Sequence, residues 1–333
     1  MKSFFYLSLL LIILSFVSCS TDFDINADQK DITVVYGLLN QSDSTQYIKI
    51  TKAFLGESSA YEMAQDPALS SYGGDITVTV TEISNGNTSR VFTLQRTNII
   101  KDTGVFYRNQ EVYMFKPIPL LNANYTYKLT ITNNTTKKET TATTLMVHDF
   151  LIKEPVYYAV NPIIGFVSSN GAYSDGEVKW ISSKNSRIFE PMFRFHYKEV
   201  DKSTLDTTNK YIDWVLNSVK SSTTDGGEEI IVNYNSESFY KIIQSKILPN
   251  SNFDRIIGMV DFIVSAGGDD LSIYIDLNEP TSSIIQERPS YTNVTNGIGI
   301  LSCRYTKKYS YKLNQYSVDK LINGEYTSQL GFK

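Results

Sequence analysis

The 333-residue sequence is poor in the residues that carry most enzyme chemistry, with two cysteines, two histidines and two tryptophans. Cysteines only at 19 and 303 exclude a cysteine-rich metal site, and with Cys19 consumed by lipid they exclude an intramolecular disulfide. Stability must then come from apolar burial. Zinc spacing of the H-E-x-x-H kind is absent, as are a Walker loop and a G-x-S-x-G elbow. "NGIGIL" (296–301) lacks the third glycine and the following helix of a dinucleotide fingerprint, so no cofactor is expected. The balance of 31 basic and 35 acidic side chains gives a net charge of −4. Removal of a leader carrying Lys2 and no acid makes it −5, which excludes the basic footprint of a nucleic-acid binder. Past residue 17 no apolar run reaches the length of a membrane-spanning helix.

What is present begins with an address. Lys2 followed by "FFYLSLLLIILSFV" (4–17) has the charge and apolar length of a secretory leader, residues 1–18, and is too short to span a bilayer comfortably. Phe16, Val17 and Ser18 before Cys19 resemble a bacterial lipobox, with Phe16 in place of the usual leucine. The expectation is that Cys19 is lipidated and becomes the first residue of the mature protein, anchored in the membrane without spanning it. The alternative is an ordinary signal peptide and a chance cysteine. Ser20 carries no inner-membrane retention signal, which favours the outer membrane, on its periplasmic or its exposed face. Residues 19–31 form the tether. Their D-x-D-x-N-x-D run, with Asp22, Asp24 and Asp28, starts like a calcium loop. Ala27 in place of the turn glycine and Thr33 in place of the terminal glutamate make a solvated spacer the better reading.

From 32 to 147 short alternating segments predict an immunoglobulin-like β-sandwich. In "DITVTVTE" (75–82) Ile76, Val78 and Val80 share one face, and Asn85-Gly86 then marks a hairpin. Tyr125, Tyr127, Leu129 and Ile131 alternate in the same way. "SSAYEMAQDPALSS" (58–71) reads as an inserted loop or helical turn. The pattern lapses over "HDFLIKEP" (148–155), where a second, strand-rich α+β domain, 148–333, is expected to begin. One clear helix is predicted near 236–248, with Ser236 as N-cap, Phe239, Ile243 and Ile247 on one face, and Pro249 as the stop. "LSIYIDL" (271–277) reads as a strand. "GILSCRYTKKYSYKL" (299–313) reads as a longer one, with Leu301, Cys303, Tyr305, Tyr309, Tyr311 and Leu313 on one face, interrupted by Lys307. Cys303 is then a core residue.

No catalytic residues are assigned. His148 falls at the presumed junction and His196 alternates with Arg194 and Lys198 on a polar face. The doublets Glu228-Glu229 and Asp269-Asp270 follow paired glycines and read as turns with solvated charge, although two carboxylates facing a cleft would serve a hydrolase. Abundant tyrosine and asparagine leave a glycan-binding platform open, but most of the tyrosines lie on apolar strand faces.

"VVYGLLN", "YEMAQDP", "KDTGVFYRNQEVYMF" and "YTNVTNGIGILS" together resemble a family of uncharacterised Bacteroidetes outer-membrane lipoproteins carrying a domain of unknown function. Such proteins are commonly encoded beside TonB-dependent receptors. The resemblance implies a non-enzymatic binding or accessory role at the outer membrane, with a receptor protein as partner. A surface glycan-binding lipoprotein and a carboxylate-dependent hydrolase are the alternatives.

Overall fold

The computed structural model describes residues 32–53, 67–100, 109–158, 160–278 and 290–333. The leader, Cys19, the tether and its acidic run lie outside them, as do parts of "SSAYEMAQDPALSS" and "KDTGVFYRNQEVYMF". Among the described residues the fold is mainly β, 52% strand against 13% helix, as a tyrosine-rich, alanine-poor chain favours.

The first half supplies β1 (Thr33–Leu39), β2 (Gln46–Lys52), β3 (Ile76–Ser84), β4 (Asn87–Thr93), β5 (Gln95–Ile100), β6 (Asn109–Phe115), β7 (Thr126–Asn133) and β8 (Glu139–Leu145). The second supplies β9 (Leu151–Glu154), β10 (Ile163–Ile164), β11 (Gly176–Ile181), β12 (Ile188–Asp201), β13 (Thr207–Val215), β14 (Val219–Lys220) and β15 (Glu229–Tyr234). It ends with β16 (Phe253–Gly267), β17 (Val294–Thr295) and β18 (Gly297–Leu313).

A sandwich forms as the alternation predicts. Val35, Ile48 and Ile50 from one sheet and Val78, Val80, Leu129 and Ile131 from the other are all buried in a single core. Asn85 and Gly86 both take positive φ, 49° and 78°, as the β3–β4 hairpin requires. Tyr127, near the start of β7, accepts from Asn122 N at 2.7 Å through its hydroxyl oxygen. A tyrosine bonded back to the chain a few residues upstream is a hallmark of immunoglobulin-type sandwiches.

The first sandwich is not closed by residues 32–147 alone. β17 pairs β8, and the first seven residues of β18 pair β1 in parallel, from Thr33↔Gly297 to Leu39↔Cys303. The rest of β18 pairs β16 from Arg304↔Gly267 to Tyr311↔Val260. One 17-residue strand therefore belongs to both halves of the molecule, and the ten-stranded sheet runs continuously through it.

In the second half β13–β12–β16–β18 faces β15–β11–β9 across an aromatic core, in which Phe193 meets Tyr234 at 5.3 Å and Trp180 meets Phe189 at 5.5 Å. The expected helix forms at Glu237–Lys246, with Phe239 and Ile243 buried. Ser236 stands at its N-terminus, but its hydroxyl donates to Ser174 O at 2.5 Å and does not cap the helix.

Two expectations are corrected. Residues Asp269–Asn278 form a helix, and "LSIYIDL" is not a strand. Asp269 and Asp270 fill its first turn, where carboxylates favour the positive end of the helix dipole, and Leu271 packs so closely on Gly267 that a Cβ there would lie 2.8 Å from Leu271 Cδ2. A further helix, Gln315–Asn323, follows β18, with the Asn314 side chain accepting from Ser317 N at 2.8 Å and Gly324 ending it.

The β1–β18 seam depends on Gly299. Its φ is +105°, and a Cβ there would lie 2.0 Å from Val35 O. Gly299→Ala is expected to cost about 3 kcal/mol or more, read by thermal unfolding. Gly74→Ala, with nothing within 4 Å of the added Cβ, is expected to be neutral. Equal melting temperatures for both would refute this account of the seam.

Candidate functional site

Three surface features are built by this fold. The first lies at one end of the first sandwich, where Ser44 and Thr45 of the β1–β2 turn meet Lys116, Pro117, Ile118, Pro119 and Leu120 after β6 around a cavity of about 340 Å³. Ile118 is 87% exposed and Leu120 46%. The loop is held from below. In β3 the inward period of Ile76, Val78 and Val80 continues to Glu82, which is therefore buried, and cross-strand pairing sets Arg90 of β4 opposite it.

Arg90 donates Nε to Glu82 Oε1 at 2.8 Å and Nη2 to Oε2 at 2.5 Å, while its Nη1 donates to Pro119 O at 2.7 Å. The Tyr127 hydroxyl donates to Glu82 Oε2 at 2.8 Å. Burial pushes the Glu82 carboxyl up, but the bonds from Arg90 and Tyr127 outweigh it and hold it below the ordinary glutamate value. An exposed apolar loop thus rests on a buried ion pair.

The second feature is a polar cluster on the outer face of the β13–β12–β16–β18 part of the ten-stranded sheet. Asp261, 4% exposed, receives Ser310 Oγ at 2.5 Å and pairs with His196 Nε2 at 2.9 Å and Lys308 Nζ at 3.3 Å. Beside it Arg194 makes a two-pronged contact with Asp213 at 2.6 and 2.8 Å and stacks over Tyr211 at 4.3 Å. A serine, a histidine and an aspartate meet here in the wrong order for acyl transfer. The carboxylate stands between them, so the Ser310 proton goes to Asp261 and not to His196. Burial raises the Asp261 carboxyl, and the contacts from Ser310, His196 and Lys308 more than reverse it.

The third feature is the edge of β18 that faces away from β16. It is covered by β1 as far as Cys303 and by β10 from Lys312, and is open between them. Tyr157 stacks on Tyr309 at 4.4 Å beside this opening, and Tyr158 is 66% exposed.

The sequence candidates are dispersed. Cys303 is 2% exposed, and burial pushes its thiol up to about 12, as befits a core residue. His148 uses its backbone N–H on Lys184 O, far along the chain from His196. Glu228 bonds Ser222 N and Oγ, whereas Glu229 pairs with Lys153 at 2.6 Å, so neighbours in sequence turn to different partners. Asp269 pairs with Arg187 at 3.7 Å and Asp270 accepts from the Tyr291 hydroxyl. Among the described residues no group of three His, Cys, Asp or Glu side chains could hold a metal ion. No helix there is long and apolar enough to cross a membrane. Glu82 and Asp261 were not singled out by sequence, although Glu82 continues the inward period of β3 and Asp261 is flanked by Val260 and Phe262.

No family model and no curated protein matches the chain. Among solved structures it is similar to the C-terminal globular domain of an oligosaccharyltransferase from Pyrococcus abyssi, at 11% identity and a TM-score of 0.22, over 85% of this chain and 49% of that one. The chain spans about half the length of that structure. It is also similar to CBD12 from CALX1.2, at 8% identity and a TM-score of 0.13, over 80% of this chain and 94% of that one. Likenesses at these TM-scores carry no argument about function.

Asp261 titrates below its ordinary value in the fold, so its contribution is complete above the unfolded aspartate pKa and is lost as pH falls through the folded one. Asp261→Asn is expected to lower stability by about 1–2 kcal/mol at pH 7. In denaturant titrations that deficit should shrink as pH falls below the unfolded aspartate value and close as pH passes the folded one. A deficit independent of pH would show that the charge of Asp261 contributes nothing.

Proposed function

We propose that the protein is a lipid-anchored, non-enzymatic binding or accessory component of the outer membrane, attached through Cys19 and engaging a membrane partner such as a TonB-dependent receptor. The observation that carries this reading is the loop Lys116–Leu120. It presents Ile118 and Leu120 to solvent while Arg90 grips Pro119 O and Leu120 O, at 2.7 and 3.3 Å. Holding apolar side chains outward on a braced loop lowers the ordering cost of association, which is how a docking surface gains affinity. The leader and the lipobox-like Cys19 support the address.

The test is co-purification of the tagged full-length protein from gently solubilised native membranes. A stoichiometric membrane protein is expected with the wild type. Its recovery should fall at least tenfold both with Cys19→Ala and with the double variant Ile118→Asp, Leu120→Asp, the latter at an unchanged melting temperature. A wild type that brings down no membrane protein, or a double variant that retains it in full, would sink this reading.

A further inference from the structure

We infer that the opening in the edge of β18 is an acceptor slot for an extended strand, and that its occupant is the segment 21–28 of a second copy of this chain.

The slot is defined by backbone polarity. Lys312 N donates to Pro162 O at 2.8 Å and Asn314 N to Ile164 O at 2.8 Å, so the even-numbered residues of β18 direct their N–H and C=O groups away from β16. Residues 298, 300 and 302 lie within the stretch paired with β1 on that side. The N–H of Arg304, one residue past the Leu39↔Cys303 pair, is the last to face β1, and from the Arg304 C=O through Thr306, Lys308 and Ser310 the outward groups have no partner strand among the described residues. Unpaired strand edges are the standard docking site for an added strand. This one is bounded at both ends, by Leu39 and by Ile163, so it takes a segment of limited length. Residues 304–311 span roughly 26 Å.

The two faces of such a strand would meet different surroundings. On the outer face stand Arg304, Lys308 and Lys312, and neither Arg304 nor Lys312 has an ion pair among the described residues. On the inner face stand Tyr305 and Tyr309, with Tyr157 stacked over the latter and Phe150 edge-on to the former. The ammonium of Lys307, also on that face, is already taken by Asp149 at 2.9 Å and Phe150 O at 2.7 Å. The slot therefore calls for a strand of about eight residues with acids on one face and apolar side chains on the other.

Residues 21–28, "TDFDINAD", have that pattern, with Asp22, Asp24, Asn26 and Asp28 alternating with Phe23, Ile25 and Ala27. Opposite charges and apolar contacts between neighbouring strands each add favourable pair energies. The segment cannot fill the slot of its own chain. Thr33 is level with Gly297, and the near end of the slot at Arg304 lies seven residues further on, roughly 23 Å away. From Ile32 back to Asp28 the chain spans at most about 14 Å. The acidic run therefore reaches a neighbour's slot and not its own.

The experiment uses two differently tagged full-length copies in native membranes, one carrying Asp24→Cys and the other Thr306→Cys, with a short bis-maleimide reagent. The parent chain corrects for Cys19, and Cys303 is buried. A cross-linked band carrying both tags is expected. It should weaken at least fivefold when the acceptor also carries Lys308→Pro, which removes an outward N–H without touching the β16 ladder. Should Lys308→Pro lower the melting temperature, the charge reversal Arg304→Glu with Lys312→Glu replaces it, with the same loss expected. Absence of the two-tag band, or its persistence in both acceptor variants, overturns the inference. So does cross-linking found only when both cysteines are in one chain. The membrane-partner reading is untouched by each result, because it is tested at Ile118 and Leu120.

Discussion

The parallel pairing of β1 with the first seven residues of β18 is the constraint on which the rest of the molecule depends. It joins β1, the first described strand, to β18, the last, so neither half can be completed without residues from both ends of the described chain. The pairing admits no side chain at Gly299, where the backbone passes against Val35. A parallel seam between distant segments carries a large loop-closure cost. That cost is offset by burial along β18, with Leu301 and Cys303 near its start and Tyr311 near its end all in one continuous core.

The same strand explains why a charged residue interrupts its inner face. Lys307 stands midway between buried Leu301 and Cys303 on one side and buried Tyr311 and Leu313 on the other. The interior it would otherwise occupy is the junction itself, where Asp149 and Phe150 O take its ammonium and the Tyr309 ring lies 6.0 Å from it. An apolar residue there would leave the carbonyl of Phe150 without this donor. The lapse of alternation at 148–155 and the lysine at 307 are thus two halves of one contact, more than 150 residues apart in sequence.

Much of the sandwich was legible because its strands are half-buried, and a period of two records that directly. Val78, Val80, Tyr127, Leu129 and Ile131 all lie where alternation put them. Pairing across the chain was not legible, because nothing local in "VVYGLL" or "GIGILS" states that they lie side by side. The helix Asp269–Asn278 was missed for a different reason. Ser, Tyr and Asp alternating with Leu and Ile satisfy a strand pattern equally well, and the packing of Leu271 on Gly267 decides the matter only in three dimensions. The candidate sites follow the same division. Glu82, which continues the inward period of β3, and Asp261, between Val260 and Phe262, could have been noticed, but the loop that Arg90 grips and the opening in β18 exist only once distant strands meet.

The opening in β18 follows from unequal lengths. A 17-residue strand is flanked on one edge by a seven-residue strand and a two-residue one, and β1 cannot extend further because Asn40 begins the turn that leads into β2. That turn is firmly fixed. Asn40 N donates to Gln46 Oε1 at 2.9 Å, Gln46 Nε2 donates to Asn40 O at 2.8 Å, and both residues are buried. Lengthening β1 would break these bonds and draw Ser44 and Thr45 away from the Lys116–Leu120 loop. The turn therefore sets the limit of the slot and one wall of the apolar cavity together, and a change that closed the first would dismantle the second.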